Sequence, residues 1–481
     1  MSMLIVILLL LIVFFFVAVK FNGNVERFRK SQKHLAKWSI TYDDLDHIRG
    51  VDIFIKHLPT VSMEAIREGL ESVGVSRNND ILIFDQKMNS NQIFLTGNAD
   101  TVYAVSFFNL DKGPVVIEVP PGLGPSVVNS AFFDFIADIG ETGVDEGNGG
   151  KYLFLPPESD LTPDDFDRDE YFIYETPSFV NLFISRALGD EEKASQLLRS
   201  GIKIYGVNED SGNVSMNFVN GSELSLNTIH ENDYDFYKKL WVVLQREPTS
   251  NFSQYSLGQM SLLGIQRGTD FVHDEYTQEV LSKSADQGSK IAAELSFNPR
   301  GNVYTYENRY WYTPFVENNE NYTIDGNELY GTNIDAKIMF YYVATVNSPS
   351  MMGMNKMGKG SQYVMTSTDS TGKPLSGSNT YEITIPANIP VANFASLAIY
   401  DKDTRSLVQS ELTPSRNFMY DDLVKNEDDS ITISVGPDDV SDTNYIKSKA
   451  NYDWFAIFRL YGPLDAWNNK TWKLGEFTRV K

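Results

Sequence analysis

One short stretch sets the chemical question. Asn98, Asp100, Thr101 and Tyr103 crowd the entrance to an apolar run, TVYAVSFFNL. Short polar side chains at the mouth of a strand either satisfy turn backbone groups, as Asx and ST turns, or face a cleft. In a cleft, Asp100 with Tyr103 beside it and Asp134 on a nearby strand would supply two carboxylates. Such a pair can act as general acid and base in hydrolysis. Further along, Arg416 and Arg459 could clamp an anionic ligand through bidentate hydrogen bonds, or pair structurally with an acid such as Asp401. Trp311, in the aromatic stretch NVYTYENRYWYTPF, is the ring expected to join them around a ligand.

Other chemistries are excluded or unsupported. The chain has no Cys, so thiolate nucleophiles, Cys-ligated metals and disulfides are ruled out. Its five His residues form neither H-E-x-x-H nor a paired metal spacing, and neither a metal nor a cofactor is expected. The G-x-S-x-G elbow, the Walker A loop and G-x-G-x-x-G ahead of a helix are all absent. Asp165 to Glu170 begins like a calcium loop, but Glu170 stands where Gly is needed and Thr176 where the closing Glu belongs; it reads as a solvated turn. A net charge of −23 lacks the basic footprint of nucleic-acid binding.

The elements that must position these residues come next. Residues 3–19, MLIVILLLLIVFFFVAV, form an uninterrupted apolar run. It lacks a preceding basic segment and a small-residue cleavage site, so a retained single-pass membrane helix is expected over a cleaved signal. The basic residues that follow, Lys20, Arg27, Arg29, Lys30, Lys33 and Lys37, place the body on the cytoplasmic side, with an extracytoplasmic body as the alternative. Residues 26–38 read as a charged, helical stalk, and 43–73 as helices with Ile48, Val51, Ile55 and Leu58 at helical spacing.

From Ile81 the period shortens to that of strands. TVYAVSFFNL and GPVVIEV flank Asp111-Lys112-Gly113-Pro114, which predicts a hairpin. Val180 to Leu198, Asp233 to Gln245 and Tyr276 to Leu295 read as helices. Ala336 to Thr345 reads as a buried helix or strand. Tyr381 to Asp401, YEITIPANIPVANFASLAIYD, passes from alternating to nearly all apolar, as in a strand covered on both faces. Phe394 and Ile399 are therefore expected in the core, together with DWFAIFRLYGP.

The motifs resemble a known pairing. TGNADTVYAVSFFNLDKGPVVIEVPP, carrying Asn98, Asp100, Thr101, Tyr103, Gly113, Pro114 and Pro120, with Asp134 and Tyr152 beyond it, resembles domain-of-unknown-function family 1254. Asp369, Gly372, Leu375, Tyr381, Pro386, Pro390, Phe394, Tyr400 and Asp401, then Arg459, Tyr461, Pro463 and Trp472, resemble family 1214. Ala395 stands where that family has Trp, which leaves room for Trp454, Phe418 or a pocket. The resemblance implies two β-sandwich domains, the C-terminal one jelly-roll-like, with helices between and no established reaction.

The expected fold is mainly β: a membrane anchor over 1–22, a stalk and helices over 23–74, a first β domain over 75–180, a helical or mixed insert over 181–300, and a C-terminal β domain over 301–481. The expected function is that of a membrane-anchored binding or assembly module for a small molecule or glycan, with homo-oligomerisation as its assembly form. The alternative is a hydrolase that uses carboxylates in an interdomain cleft.

Overall fold

The computed structural model describes residues 41–301, 303–352, 357–438 and 440–481, with scattered residues of the first forty. The chain forms two units, Met1–Arg49 and Gly50–Lys481. In the first, Val6–Leu8 and Leu10–Phe15 are helical and exposed. The membrane-spanning helix expected over 3–19 is not supported, because no helix among the described residues is long and apolar enough to cross a membrane. The rest of the run, Met3 apart, and most of the expected stalk lie outside the described residues.

The strands of the N-terminal half are β1 (Asp80–Ile83), β2 (Gln92–Ile93), β3 (Val102–Asn109), β4 (Val115–Val119), β5 (Ser126–Ser130), β6 (Phe135–Ile139), β7 (Gly150–Leu155), β8 (Phe172–Glu175), β9 (Val180–Ala187), β10 (Lys203–Gly206), β11 (Asn217–Asn220) and β12 (Leu226–Asn227). They form a six-stranded sheet, β11-β1-β3-β9-β5-β6, a four-stranded sheet, β10-β4-β7-β8, and the pair β12-β2. The two larger sheets close on one core. Ile81, Ala104 and Phe183 of the six-stranded sheet meet Ile117, Phe154 and Ile204 of the other. The opposite face of the six-stranded sheet is covered as well, with Leu82, Val105 and Ile184 against Ile66 and Phe340.

Two expectations fail in this half. Val180 to Ala187 is the central strand β9, fully registered against β3 from Val102↔Ala187 to Asn109↔Val180, and the helix begins only at Glu191. Its apolar run is buried on both faces, and such a run gives no periodicity to tell strand from helix. Strands of these sheets therefore continue past residue 180, to β11. The turn at 111–114 does reverse the chain, with the Gly113 amide donating to Leu110 (3.0 Å). It makes no hairpin, because β3 and β4 belong to different sheets. The turn carries the chain across the sandwich core instead of along one ladder.

Helices follow: α1 (Tyr42–Ser72), α2 (Glu191–Gly201), α3 (Tyr234–Arg246), α4 (Gln254–Leu262), α5 (Glu275–Phe297) and α6 (Ile334–Tyr341). Asp190, Asp233, Ser253, Asp274 and Asn333 cap the last five, each accepting a backbone amide of the first turn and so satisfying one of the donors a helix start leaves open. Val303 to Phe315, at the start of the expected C-terminal β domain, forms only isolated bridges such as Tyr304↔Tyr312 among the described residues.

The C-terminal strands are β13 (Ser361–Thr366), β14 (Tyr381–Ile385), β15 (Val391–Asp401), β16 (Ser415–Asn417), β17 (Ile431–Gly436), β18 (Tyr445–Lys447), β19 (Trp454–Pro463) and β20 (Thr478–Arg479). They build the sheets β13-β19-β15-β16 and β18-β17-β14-β20. Leu397, Ile399, Phe458 and Leu460 meet Ile383, Ile385 and Ile433 between them. The outer face of the first sheet bears Ala398, Tyr400, Phe455 and Ile457, which join the helical core with Leu281, Ala285 and Phe297. Phe394 and Ile399 are buried as expected. They lie in one ladder with β19, where Phe394 pairs with Tyr461 and Ile399 with Ala456.

Candidate functional site

The outer face of β19 changes character along its length. Phe455 and Ile457 pack on the helices; with the two-residue period of a strand, Arg459 and Tyr461 then follow on the same face. The neighbouring strands match this change. Ser396 of β15 and Tyr363 of β13 lie opposite Arg459, and Phe394 lies opposite Tyr461. This polar end of the face looks onto a cavity of about 110 Å³. Across the cavity stand Tyr103 and Val105 of β3, Val127 of β5 and Ile184 and Arg186 of β9. The walls are completed by the loop 94–98 and by Phe340, Val343 and Met351. Gly360 also lines it, with φ of +69°. A Cβ there would collide with the Ser350 carbonyl oxygen, so the turn that brings this loop to the cavity requires glycine.

The loop before β3 is fastened to the C-terminal sheet. Arg459 donates to the Tyr400 hydroxyl (2.6 Å) and to the Thr96 carbonyl (2.9 Å). The Tyr400 hydroxyl donates onward to the Gly97 carbonyl (2.8 Å). Asn98 donates through Nδ2 to the Tyr461 hydroxyl, and its Oδ1 accepts the Asp100 amide (2.7 Å), an Asx turn. Burial pushes the Tyr400 phenol up to about 12, although Arg459 pulls the other way. Burial likewise holds the Tyr461 phenol well above the ordinary tyrosine range.

Asp100 is 5 % exposed and lies behind this surface, not on the cavity wall. Ser396 donates to its Oδ2 (2.5 Å), while Ser415 Oγ and Asn417 Nδ2 lie 3.5 Å from Oδ1. Burial pushes its carboxyl above the usual range, opposed by the Ser396 bond and the Arg459 charge. Thr101 is buried, and its hydroxyl has no hydrogen-bond partner among the described residues.

The other sequence candidates fall elsewhere. Asp134 is exposed, in the turn between β5 and β6, with Ser130 Oγ at 3.3 Å. It shares no hydrogen-bonding neighbour with Asp100. Trp311 is buried in the C-terminal core, donating to the Gly475 carbonyl (2.6 Å) and packing near Phe477. Arg416 donates to the backbone carbonyls of Thr443 (2.7 Å), Thr413 (3.1 Å), Ser415 (2.7 Å) and Tyr445. It ties β16 to the segment before β18. Of the eight candidates, Asn98, Tyr103 and Arg459 line the cavity.

Arg186 and Tyr363 were not singled out from the sequence. Arg186 interrupts the apolar run VNLFISRALG, which was read as a helix; read as a strand, the same run would have marked a charge entering from a buried ladder. The Arg186 guanidinium lies over the rings of Tyr103 (5.6 Å) and Tyr461 (5.7 Å). Arg459 lies over Tyr363 (5.3 Å).

Two family models match the chain, each described as a protein of unknown function: DUF1254 over residues 78–206 and DUF1214 over residues 360–465. Among solved structures, the VPA0106 protein from Vibrio parahaemolyticus is similar over 91 % of this chain and 100 % of its own, with 18 % identity and a TM-score of 0.51. That likeness is one of fold. An uncharacterised protein from Burkholderia cenocepacia aligns over 91 % of this chain and 94 % of its own, at 10 % identity and a TM-score of 0.36. No curated protein matches.

Proposed function

We propose that this chain, which belongs to the paired DUF1254–DUF1214 family, is a binding module that takes a small molecule between its two β domains. In this reading the domains are β-sandwiches, the C-terminal one jelly-roll-like, and the apolar run over 3–19 tethers the module to a membrane with its body on the cytoplasmic side. The observation that carries the binding reading is the cavity of about 110 Å³, whose walls come from both matched domains. Apolar walls with a few convergent polar groups are the usual make-up of a small-molecule site. Asp100 and Asp134 have separate neighbours, so the carboxylate hydrolase gains no support from a shared acid/base pair.

The test is calorimetric titration of six-carbon probes into the native chain and into Ala344→Trp, which places an indole in the cavity wall. Saturable binding to the native chain that the tryptophan abolishes is expected. Absence of saturable binding by every probe would sink the reading.

A further inference from the structure

We propose that the cavity's ligand is a small organic anion, bound with its charged head on Arg186 and its apolar body along the opposite wall. This rests on the reading of the cavity as a ligand site.

Among the described residues, Arg186 forms no ion pair. Its Nε donates to the Pro125 carbonyl (2.9 Å), and its Nη1 is buried with no hydrogen-bond partner among the described residues. The neighbours that bear on its charge are the phenols of Tyr103, Tyr363 and Tyr461. Phenols are neutral near pH 7 and offer dipoles and ring faces, not a counterion. The other charges on the wall, Arg459 and Asp138, have hydrogen-bond partners of their own, and the serine bond leaves Asp138 an acid on the same wall. Arg459 has the Asp100 carboxylate nearby as well as its two hydrogen bonds. Asp138 accepts from the Ser348 hydroxyl (2.7 Å).

The guanidinium is half-buried and faces phenols where a carboxylate could sit, so an incoming anion would give its charge the partner that dipoles only partly replace. The planar fork of Arg suits a carboxylate or phosphate in particular. A bare inorganic ion would satisfy the charge but leave most of the cavity unfilled. Phe94, Val105, Ile184, Phe340, Val343 and Met351 line that remainder, and they call for an apolar body on the ligand.

The experiment compares hexanoate, 1-hexanol and inorganic phosphate by calorimetric titration into the native chain, Arg186→Met and Arg186→Lys. Hexanoate is expected to bind the native chain about tenfold or more tighter than hexanol, as one charge-assisted pair allows. Arg186→Met should bring the two probes level, and Arg186→Lys, which keeps charge without the fork, should fall between. If hexanol binds as tightly as hexanoate, or Arg186→Met retains hexanoate, the anion proposal is overturned while the cavity remains a ligand site. Phosphate binding as tightly as hexanoate overturns the organic body. If none of the probes binds, the cavity reading and this proposal fall together. Should Arg186→Met fail to fold by circular dichroism, the hexanoate-to-hexanol ratio on the native chain still decides.

Discussion

Asn98, in the loop ahead of β3, donates a hydrogen bond to the hydroxyl of Tyr461 on β19, 363 positions away. That bond, with the Arg459 and Tyr400 bonds to the Thr96 and Gly97 carbonyls, makes the loop a fastener between the N-terminal and C-terminal sheets as well as a cavity wall.

Asp100 should behave as a structural carboxyl. Asp100→Ala leaves Ser396 without its acceptor and is expected to cost about 1–3 kcal/mol in chemical denaturation, the range for a stranded buried polar group. Asp100→Asn should lose less. Because burial raises the folded-state pKa of Asp100, the folded chain holds this proton more tightly than the unfolded one. Its contribution to stability therefore declines as pH rises from the ordinary carboxylate value of 3.8 through the raised folded value. Denaturation curves of the native chain and Asp100→Asn across that window check the sign, since the native chain should lose ground to the variant as pH rises.

Two buried histidines predict acid sensitivity. Burial pushes His57 and His230 down to about 3 each. Depressed folded values mean that the unfolded chain takes up protons first as pH falls below about 6.5. Each His should then remove about 1.4 kcal/mol per pH unit between the unfolded and folded values. His57, hydrogen-bonded with Ser256 at 2.5 Å, is the easier to test. His57→Gln should flatten the loss between pH 6.5 and 4, and an unchanged slope would contradict it.

Phe394 is 1 % exposed and stacks on Tyr461 with ring centroids 4.1 Å apart. Phe394→Ala should cost about 3–5 kcal/mol, as buried aromatic truncations do. A loss under about 1 kcal/mol, far below that range, would show the strand is less embedded than described.

Arg416 and Arg459 should separate cleanly. Arg416→Met leaves four backbone carbonyls without their donor, so a lower melting temperature with unchanged probe affinity is expected. Arg459→Met removes a group of the cavity wall and should change both. Equal loss of probe affinity in the two would tie Arg416 to the site.

The apolar run over 3–19 gives the last test. Deleting residues 1–22 should leave a folded, soluble body and shift the chain out of the membrane fraction. Identical partitioning of full-length and truncated chains into the soluble fraction would remove the tether from the proposed function.

The sequence was most informative where one side-chain period dominates. Tyr381–Ile385 alternates and was legible as a strand with one solvated face, while Phe394–Tyr400 was legible as one covered twice. Val180–Ala187 was not, because a run buried on both sides carries no period, and β9 was mistaken for helix. Pairing was harder still. The turn at Gly113 looks alike whether the next strand joins the same ladder or crosses the core, since the choice rests with partners far away, β9 for β3 and β7 for β4. The same distance effect split the candidate residues. Asn98 and Arg459 carried motif signals and meet, whereas Asp134 and Trp311 carried equal signals and do not.

The fastening loop also bears on heredity. A free C-terminal half would display a sheet face with the Arg459 guanidinium and the Ser396 hydroxyl stripped of Thr96 and Asp100. A free N-terminal half would carry a buried-type carboxylate with nothing to receive it. Neither gene segment could be shuffled onto a new neighbour without new side chains to take these bonds. Co-expressed fragments cut in the exposed turn at Gly268 should therefore reassemble in trans, whereas either alone should aggregate.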